Sequence, residues 1–331
     1  MRGCKNKMII TRTPFRISFA GGGTDLPSYY KTGYGAVVST TIDKYMYITI
    51  NKRFDDSIRV SYSKTEIVDS VDDLQHDIVK AALKMVGIKK GIEITSISDI
   101  PAGTGLGSSS SFTVGLLNAL YMYIGKQCSA HELAKKACQL EIDMLKHPIG
   151  KQDQFAAAYG GTNYFRFNAD GSVTYKPINL TSEDLEAMNS KLSMWYTGIS
   201  RSADSILNQQ NNDTLKKLDV LDFMRNQADD LAENLNKHGF TESLAKVLHE
   251  GWIKKKSITK SISNNNIDNL YEIALLNGAK GGKILGAGGG GFLLLYCDAE
   301  KHDNLSTALG LTKMPFKITC HGSRVVYFSE T

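Results

Sequence analysis

The stretch "IPAGTGLGSSSSFTVGLLNAL", Ile100–Leu120, sets three glycines and four consecutive serines ahead of a helical run. Phe112, Leu116, Leu120 and Ile124 recur every four residues, which predicts a helix closed by Gly125. A flexible polar loop thus feeds a helix N-terminus. Two familiar loops of this kind do not fit. A P-loop needs G-x-x-x-x-G-K-[ST], and no lysine follows Gly107. A dinucleotide fingerprint needs G-x-G-x-x-G, whereas these glycines fall as G-T-G-L-G. The underlying physics still holds: glycines admit close approach of a ligand to the backbone, and a helix N-terminus offers unpaired N–H groups and partial positive charge. Backbone N–H groups from Gly103 to Ser110, with Gly105, Leu106 and Gly107 between them, can line a concave anion seat. Hydroxyls of Ser108, Ser109 or Ser110 can cap the helix or ligate Mg²⁺, which prefers hard oxygen ligands.

The surrounding chain has 331 residues, enough for two lobes, with 42% hydrophobic and 22% charged residues, a balance that excludes disorder. A net charge of +5 suits anionic small ligands and is too weak and scattered for nucleic acid or membrane. Five cysteines (Cys4, Cys128, Cys138, Cys297, Cys320) without a C-x-x-C pair read as reduced, buried thiols of a cytoplasmic protein. The start "MRGCKNKMII" lacks the apolar core of a signal peptide, and "GFLLLYC" is too short to cross a bilayer.

Strand patterns occupy "MIITRTPFRISFAGG", "AVVSTTIDKYMYITINKRF", "IRVSYS" and "GIEITSISDI". "DIVKAALKMVG" is helical and stopped by Gly87, "SAHE" at Ser129–Glu132 is a capping box, and Asp170-Gly171 turns a hairpin. From about residue 181 helices dominate. Leu221, Met224, Ala228, Leu231 and Leu235 mark one core stripe; Leu244, Val247, Leu248 and Ile258 mark another. "NQQNNDT" reads as a surface loop, and "KILGAGGGGFLLLYC" with "HGSRVVYFS" reads as a closing strand pair. The expectation is an α+β protein of two lobes, residues 1–180 and 181–331.

Three glycine-rich segments, "PFRISFAGGGTD", "PAGTGLGSSSS" and "KILGAGGGGF", each adjoin a strand or helix end. In this order and spacing they resemble the three motifs of the GHMP kinases, the family of galactokinase, homoserine kinase, mevalonate kinase and phosphomevalonate kinase. The resemblance spans Thr13 to about Cys297. It implies a two-lobed kinase: an N-terminal mixed α/β lobe with a ribosomal-protein-like core that binds ATP phosphates in the middle loop, and a helix-rich C-terminal lobe on the substrate side. Its implied partners are ATP, Mg²⁺ and a small-molecule acceptor. A bare RNA-binding module on such a core is disfavoured by the absence of a dense basic stripe.

Matched to the family, Ser109 is the serine on the metal. Glu141 would lie with Ala134, Ala137, Cys138 and Leu145 on one face of the helix from Ala130, interrupting a small-apolar surface. A carboxylate there either snorkels to water or needs a cation; the resemblance makes it the second magnesium residue. Asp153, read as preceding a short helix stopped by Gly160-Gly161, sits in the G-x-x-D segment that carries the aspartate facing the attacking hydroxyl. Arg16 takes the place of its basic partner. Phosphoryl transfer needs such an in-line nucleophile, a metal on the phosphates and fixed positive charge.

The acceptor-side reading rests on spelling. Gly21-Gly22-Gly23-Thr24-Asp25 keeps the T-D of galactokinases without their glutamate and histidine, which speaks against galactose. Homoserine and mevalonate kinases lack this T-D pair. A-G-G-G-T-D resembles kinases of heptose 7-phosphate within the family, and less closely fucokinases. Gly22, Gly23, Thr24, Asp25, Gly288 and Gly289 are the expected substrate contacts. A sugar phosphate needs a second cationic seat, and Arg201 in "WYTGISRSADSIL" stands where a strand enters a helix headed by Ser202. Lys151 is a weaker seat. A fucokinase-like enzyme acting on an unphosphorylated sugar, and a non-catalytic sensor on the same scaffold, are the alternatives.

Overall fold

The computed structural model describes residues 7–199, 206 and 217–330. Arg201, Ser202 and the polar run 208–214 fall outside the described residues.

The chain begins with a long antiparallel pair, β1 (Lys7–Ala20) and β2 (Tyr34–Lys52), joined through a glycine turn and a short helix α1 (Pro27–Tyr30). Along β1 the pleat sends Phe15, Ile17 and Phe19 into the core and turns Arg16 to the opposite face. Register irregularities between Pro14 and Phe15 and between Ser18 and Ala20 flank Arg16, the kind of local twist that re-aims a side chain beside a site. Strands β3 (Ile58–Ser61), β4 (Thr65–Val68) and β5 (Ile92–Ser98) extend the sheet from β2, with β3 parallel to β5. The hairpin β6 (Asn163–Asn168) and β7 (Val173–Pro177) pairs with the first half of β2 and turns at Asp170-Gly171.

Helices α2 (Asp77–Val86), α3 (Ser108–Tyr123), α4 (Ala130–Cys138) and α5 (Gln152–Tyr159) cover this sheet. Gly87 ends α2 in the left-handed conformation, and the Ser129/Glu132 capping box opens α4. The spacing of α3 predicted one apolar stripe, yet residues 110–117 are buried all round, as befits a central helix. Gly115 explains its tight docking on β1, since a Cβ there would lie 2.7 Å from the Thr13 hydroxyl. Two expectations need correction. The helix from Ala130 is not one α-helix through Glu141: a π turn occupies Gln139–Met144, and the Leu145 N–H reaches the Leu140 carbonyl, five residues back. Asp153 lies inside the first turn of α5 rather than before it.

The second half builds a four-stranded antiparallel sheet in the order β11 (Thr312–Met314), β8 (Leu192–Tyr196), β10 (Phe292–Cys297), β9 (Ala279–Ile284). Its helices are α6 (Ser182–Lys191), α7 (Leu218–His238), α8 (Ser243–Lys256), α9 (Asn265–Leu276) and α10 (His302–Leu309). The α7 stripe from Leu221 to Leu235 is buried as its spacing predicts. The chain does not divide cleanly at residue 180, because β12 (Ile318–Thr319) joins β2 and β13 (Arg324–Glu330) joins β1. The terminal strand expected to pair with the glycine strand therefore returns to the first sheet, while β10 pairs with β9 and β8. One apolar cluster also runs across the division, from Phe15 and Leu116 to Leu231, Leu248 and Tyr296. A second, around Trp195, Trp252 and Leu270, is drawn from the later segment apart from Tyr29.

The four described thiols are free, and against expectation not all are buried. Cys138 and Cys297 are buried, Cys128 is half-buried and Cys320 is exposed. Cys4 is outside the described residues. Among the described residues no helix is long and apolar enough to cross a membrane.

Candidate active site

A cavity of about 920 Å³ runs between the glycine-serine loop, the first glycine turn and the loop from β9 to β10. At its centre Arg16, 3% exposed, holds Asp153 with two parallel bonds: Nε to Oδ1 at 2.7 Å and Nη2 to Oδ2 at 2.8 Å. Its remaining nitrogen, Nη1, donates to the Gly105 carbonyl at 2.7 Å. The guanidinium thus fixes a carboxylate from α5 and a carbonyl of the glycine-serine loop in one plane, a geometry that a fork of N–H donors is built to make. The contact between Arg16 and Asp153 that the family resemblance implies is present in bidentate form.

The loop owes its shape to missing side chains. Gly107, at φ +75°, caps α3, and a Cβ on it would meet the Asp153 carboxylate at 3.2 Å. Gly105 is pressed against the third glycine segment: its Cβ would lie 2.3 Å from the Leu285 carbonyl oxygen. Gly103, Gly105, Gly107 and Ser108 to Ser110 all face the cavity, where first-turn N–H groups without helical partners suit phosphate oxygens. Leu106 does not; its side chain is fully buried in the core, while its carbonyl accepts the Arg16 N–H.

Glu141 reaches this loop from the π turn. It is fully buried, its Oε1 accepts from Ser109 (3.0 Å), and its Oε2 accepts from Ser110 (2.9 Å) and Gln154 (2.7 Å). Burial raises its pKa, and those hydroxyl and amide donors offset only part of the effect. Among the described residues it forms no ion pair, and no three-residue cluster of metal-ligating side chains is present. One buried carboxylate beside two serine hydroxyls is too sparse for a protein-only cage. It does fit a small hard cation that takes its other oxygens from phosphates and water.

The end of the cavity where the substrate contacts were expected is bounded by Gly22, Gly23 and Asp25. Asp25 is 3% exposed and accepts from Gly23 N–H (3.0 Å), Gln152 N–H (3.1 Å) and Gln152 Nε2 (3.3 Å). Burial first, then the Asp153 charge, raises its pKa against those donors. The carboxylate fills the space of a Cβ on Gly150, which would come within 2.0 Å of Asp25 Oδ2, so the glycine of G-x-x-D lets the two motifs lock together. A Cβ on Gly22, by contrast, would make only ordinary contacts, so this wall is open by choice of residue. Thr24, expected at the substrate, is fully buried off the cavity. Its hydroxyl lies 2.8 and 2.9 Å from the Gly21 and Ala36 carbonyls, holding the turn. Gly288 lines the cavity; Gly289 does not, and its N–H bonds the Ile262 carbonyl. Lys151 turns to the Gly171 carbonyl (2.6 Å) and the Tyr30 ring, outside the cavity lining.

Several residues here carry no signal in the sequence. At the far end Tyr62, His76 and Phe112 form an aromatic wall, with His76 stacked on Phe112 at 5.1 Å and edge-on to Tyr62 at 4.7 Å. Burial lowers the His76 pKa against the pull of Asp77 and Glu66, which favours the uncharged ring in this wall. Gln152 Oε1 is buried without a hydrogen-bond partner where the cavity meets Gly22. Lys255 on α8 and Lys283 on β9 are both nearly buried. Lys283 donates to the Ser18 (2.9 Å) and Phe19 (3.2 Å) carbonyls and so ties β9 to β1. These side chains arrive from distant segments, and only a contact, not a spacing, could reveal them.

The chain matches the GHMP kinases N-terminal domain over residues 75–161 and the GHMP kinases C-terminal domain over 222–312. It is 32% identical to a D-glycero-alpha-D-manno-heptose 7-phosphate kinase of Campylobacter jejuni, over 92% of this chain and 93% of that protein. It is 27% identical to an L-fucokinase/L-fucose-1-P guanylyltransferase of Bacteroides fragilis, over 88% of this chain and 34% of that longer protein. In fold it is similar to a crystallised D-glycero-D-manno-heptose 1-phosphate kinase of Bacteroides thetaiotaomicron, with a TM-score of 0.80 at 24% identity, covering 96% of this chain and 99% of that one. Three glycine segments, a bidentate Arg–Asp pair and a serine-headed helix now stand with both domain matches. The chain belongs to the GHMP kinases and is an ATP-dependent sugar kinase, a phosphotransferase with an alcohol group as acceptor.

Proposed function

We propose that the enzyme phosphorylates the anomeric hydroxyl of a sugar that already carries a phosphate, D-glycero-D-manno-heptose 7-phosphate, giving the 1,7-bisphosphate used to make nucleotide-activated heptose. The observation that carries the chemistry is the bidentate Arg16–Asp153 pair between the glycine-serine loop and the open Gly22–Gly23 wall. The choice of sugar is supported by the 32% identity, over nearly the full chain, to a kinase of that name. The unpaired Gln152 Oε1 at the acceptor end suits a donating sugar hydroxyl.

In this reading the apolar wall of Tyr62, His76 and Phe112 takes the adenine, and N–H groups of residues 103–110 take the phosphates. Asp153 orients the acceptor hydroxyl and receives its proton as the new P–O bond forms; Arg16 fixes that carboxylate and faces the transferring charge. Ser109 and Glu141 would hold Mg²⁺, which when bound neutralises β/γ-phosphate charge. The first lobe, 1–180 with the two last strands, would carry ATP, and the later segment would supply the acceptor side through Gly286–Gly290.

ADP release against heptose 7-phosphate, unphosphorylated heptose, mannose 6-phosphate, fucose and galactose tests the acceptor. Turnover of fucose or unphosphorylated heptose as fast as the 7-phosphate would replace this reading with a fucokinase-like one. Arg201, proposed from its sequence context as the phosphate seat, gives a second check. Arg201→Ala should raise KM for heptose 7-phosphate and spare KM for ATP. A charge-assisted contact contributes about 1.5–3 kcal/mol, so kcat/KM should fall roughly 10- to 150-fold.

Glu141→Gln tests the metal role. Because burial raises the Glu141 pKa, its ionised form opposes folding, and the neutral amide should leave the nucleotide-free melt unchanged or higher. The Mg²⁺ concentration for half-maximal activity should rise by at least the ~10-fold typical of losing even an outer-shell partner. An unchanged Mg²⁺ midpoint with a lowered melt would return Glu141 to a packing role.

A further inference from the structure

Lys255 is a buried lysine of the later segment. It lies one residue from the end of α8, 4% exposed, and its side chain lines the central cavity. One protein hydrogen bond is described for its three N–H groups, to the Gly286 carbonyl, and among the described residues it forms no ion pair. A buried ammonium with donors to spare, on the wall of a cavity that receives anions, is incomplete until an anion arrives.

Which anion follows from its place. Gly286, which accepts the Lys255 bond, packs directly on the glycine-serine loop: a Cβ on it would lie 2.5 Å from the Gly105 Cα. Gly105 in turn gives its carbonyl to Arg16. The charges that act on Lys255 include Arg16, Asp25 and Asp153, and the buried Lys283 lies close enough to repel it. Lys255 therefore stands beside the phosphate loop on one side and the catalytic carboxylate on the other. The group that passes between those two is the γ-phosphoryl.

We propose that Lys255 is a catalytic residue, an ammonium supplied by the C-terminal segment that, with Arg16, holds the phosphoryl group in transit from ATP to the acceptor oxygen. The Pγ–O bond to ADP breaks and the Pγ–O bond to the acceptor forms. The hydroxyl proton goes to Asp153, and Lys255 keeps its own protons throughout. Burial and the Arg16 charge bring the Lys255 amine down to about 8, against the pull of Asp25 and Asp153. It is thus protonated at neutral pH, and negative charge on the phosphoryl oxygens strengthens its hold on that proton. Lys283, the other buried lysine, is spent on the Ser18 and Phe19 carbonyls and has no such freedom.

The inference rests on the kinase chemistry above but not on which sugar accepts. The first measurement therefore uses no acceptor: affinities for ATP and for ADP by calorimetry, for the parent, Lys255→Met and Lys255→Gln. Both variants should bind ADP within about threefold of the parent and lose roughly 10- to 100-fold in the preference for ATP, the scale of one charge-assisted bond. Methionine replaces a buried cation by an apolar chain of similar length, so the melt should hold or rise; glutamine keeps a donor to Gly286 should methionine fail to fold. The second measurement is turnover with any accepted sugar, expected to fall roughly 10²- to 10³-fold in kcat with acceptor KM within about threefold. Unchanged ATP preference with kcat within threefold of the parent overturns the proposal. So does a loss confined to KM for phosphorylated acceptors, which would make Lys255 the seat of the acceptor's own phosphate. A sugar panel with no active member would instead strike only the acceptor reading, since the ATP and ADP affinities decide Lys255 without it.

Discussion

Asp153→Asn should lower kcat by about 10²–10⁴, the span usual for lost acid–base assistance, while ATP affinity stays within a few-fold of the parent. The size of the effect follows from the site. Asp153 presents both oxygens to Arg16, at 2.7 and 2.8 Å. An asparagine can accept only one of these bonds, and its NH₂ then faces a guanidinium N–H, donor against donor. The side chain must turn, and with it goes the atom that would receive the acceptor proton. ATP should be spared because its phosphates are assigned to N–H groups of residues 103–110, none of which bonds Asp153. The side chain is 25% exposed, so the substitution leaves no sealed, unpaired charge in the core. Single-turnover rates discriminate best, since they separate chemistry from product release. A rate within threefold of the parent would remove Asp153 from the transfer step.

What the sequence made legible, and what it did not, divides along physical lines. The glycine-serine loop could be read because glycine spacing and a following four-residue apolar period are local. The same holds for the Gly87 stop, the Ser129/Glu132 box and the Asp170-Gly171 turn, each a contest of backbone conformations within a few residues. Arg16 and Asp153, 137 positions apart, were paired through a family resemblance rather than through any pattern in the residues. The π turn escaped because an ideal 3.6-residue period was extended past Cys138, whereas the chain gains a residue there to swing Glu141 onto Ser109 and Ser110. Thr24 was placed at the substrate by its neighbours in the motif, yet its hydroxyl is consumed in closing the turn. The partner of β13 was misread because strand pairing is set by long-range packing, and an alternating run does not name its neighbour. Lys255 sat in "KKKS", where nothing in the spacing sets one lysine apart from its neighbours until the third glycine segment is folded against it.

The remaining large effect concerns Arg16, and it asks whether the pair acts as one device. Arg16→Lys keeps the charge but cannot form two parallel bonds to Asp153 while also reaching the Gly105 carbonyl. The expected fall in kcat is about 10²–10³, comparable to losing a transition-state donor. The change also frees one link between β1 and the glycine-serine loop, although the backbone bond from Arg16 N–H to the Leu106 carbonyl, 3.1 Å, remains to hold the two together. The melt should therefore move far less than the rate. The decisive step is to combine the two substitutions. If Arg16 works by presenting Asp153, then Asp153→Asn in the Arg16→Lys background has little left to disturb and should cost much less than it does in the parent. Residues in contact routinely show such coupling, at about 0.5–3 kcal/mol, whereas independent sites add to within about 0.5 kcal/mol. Rate losses that simply multiply would mean that Arg16 acts on the phosphoryl group alone, and that the bidentate geometry positions the loop rather than the base.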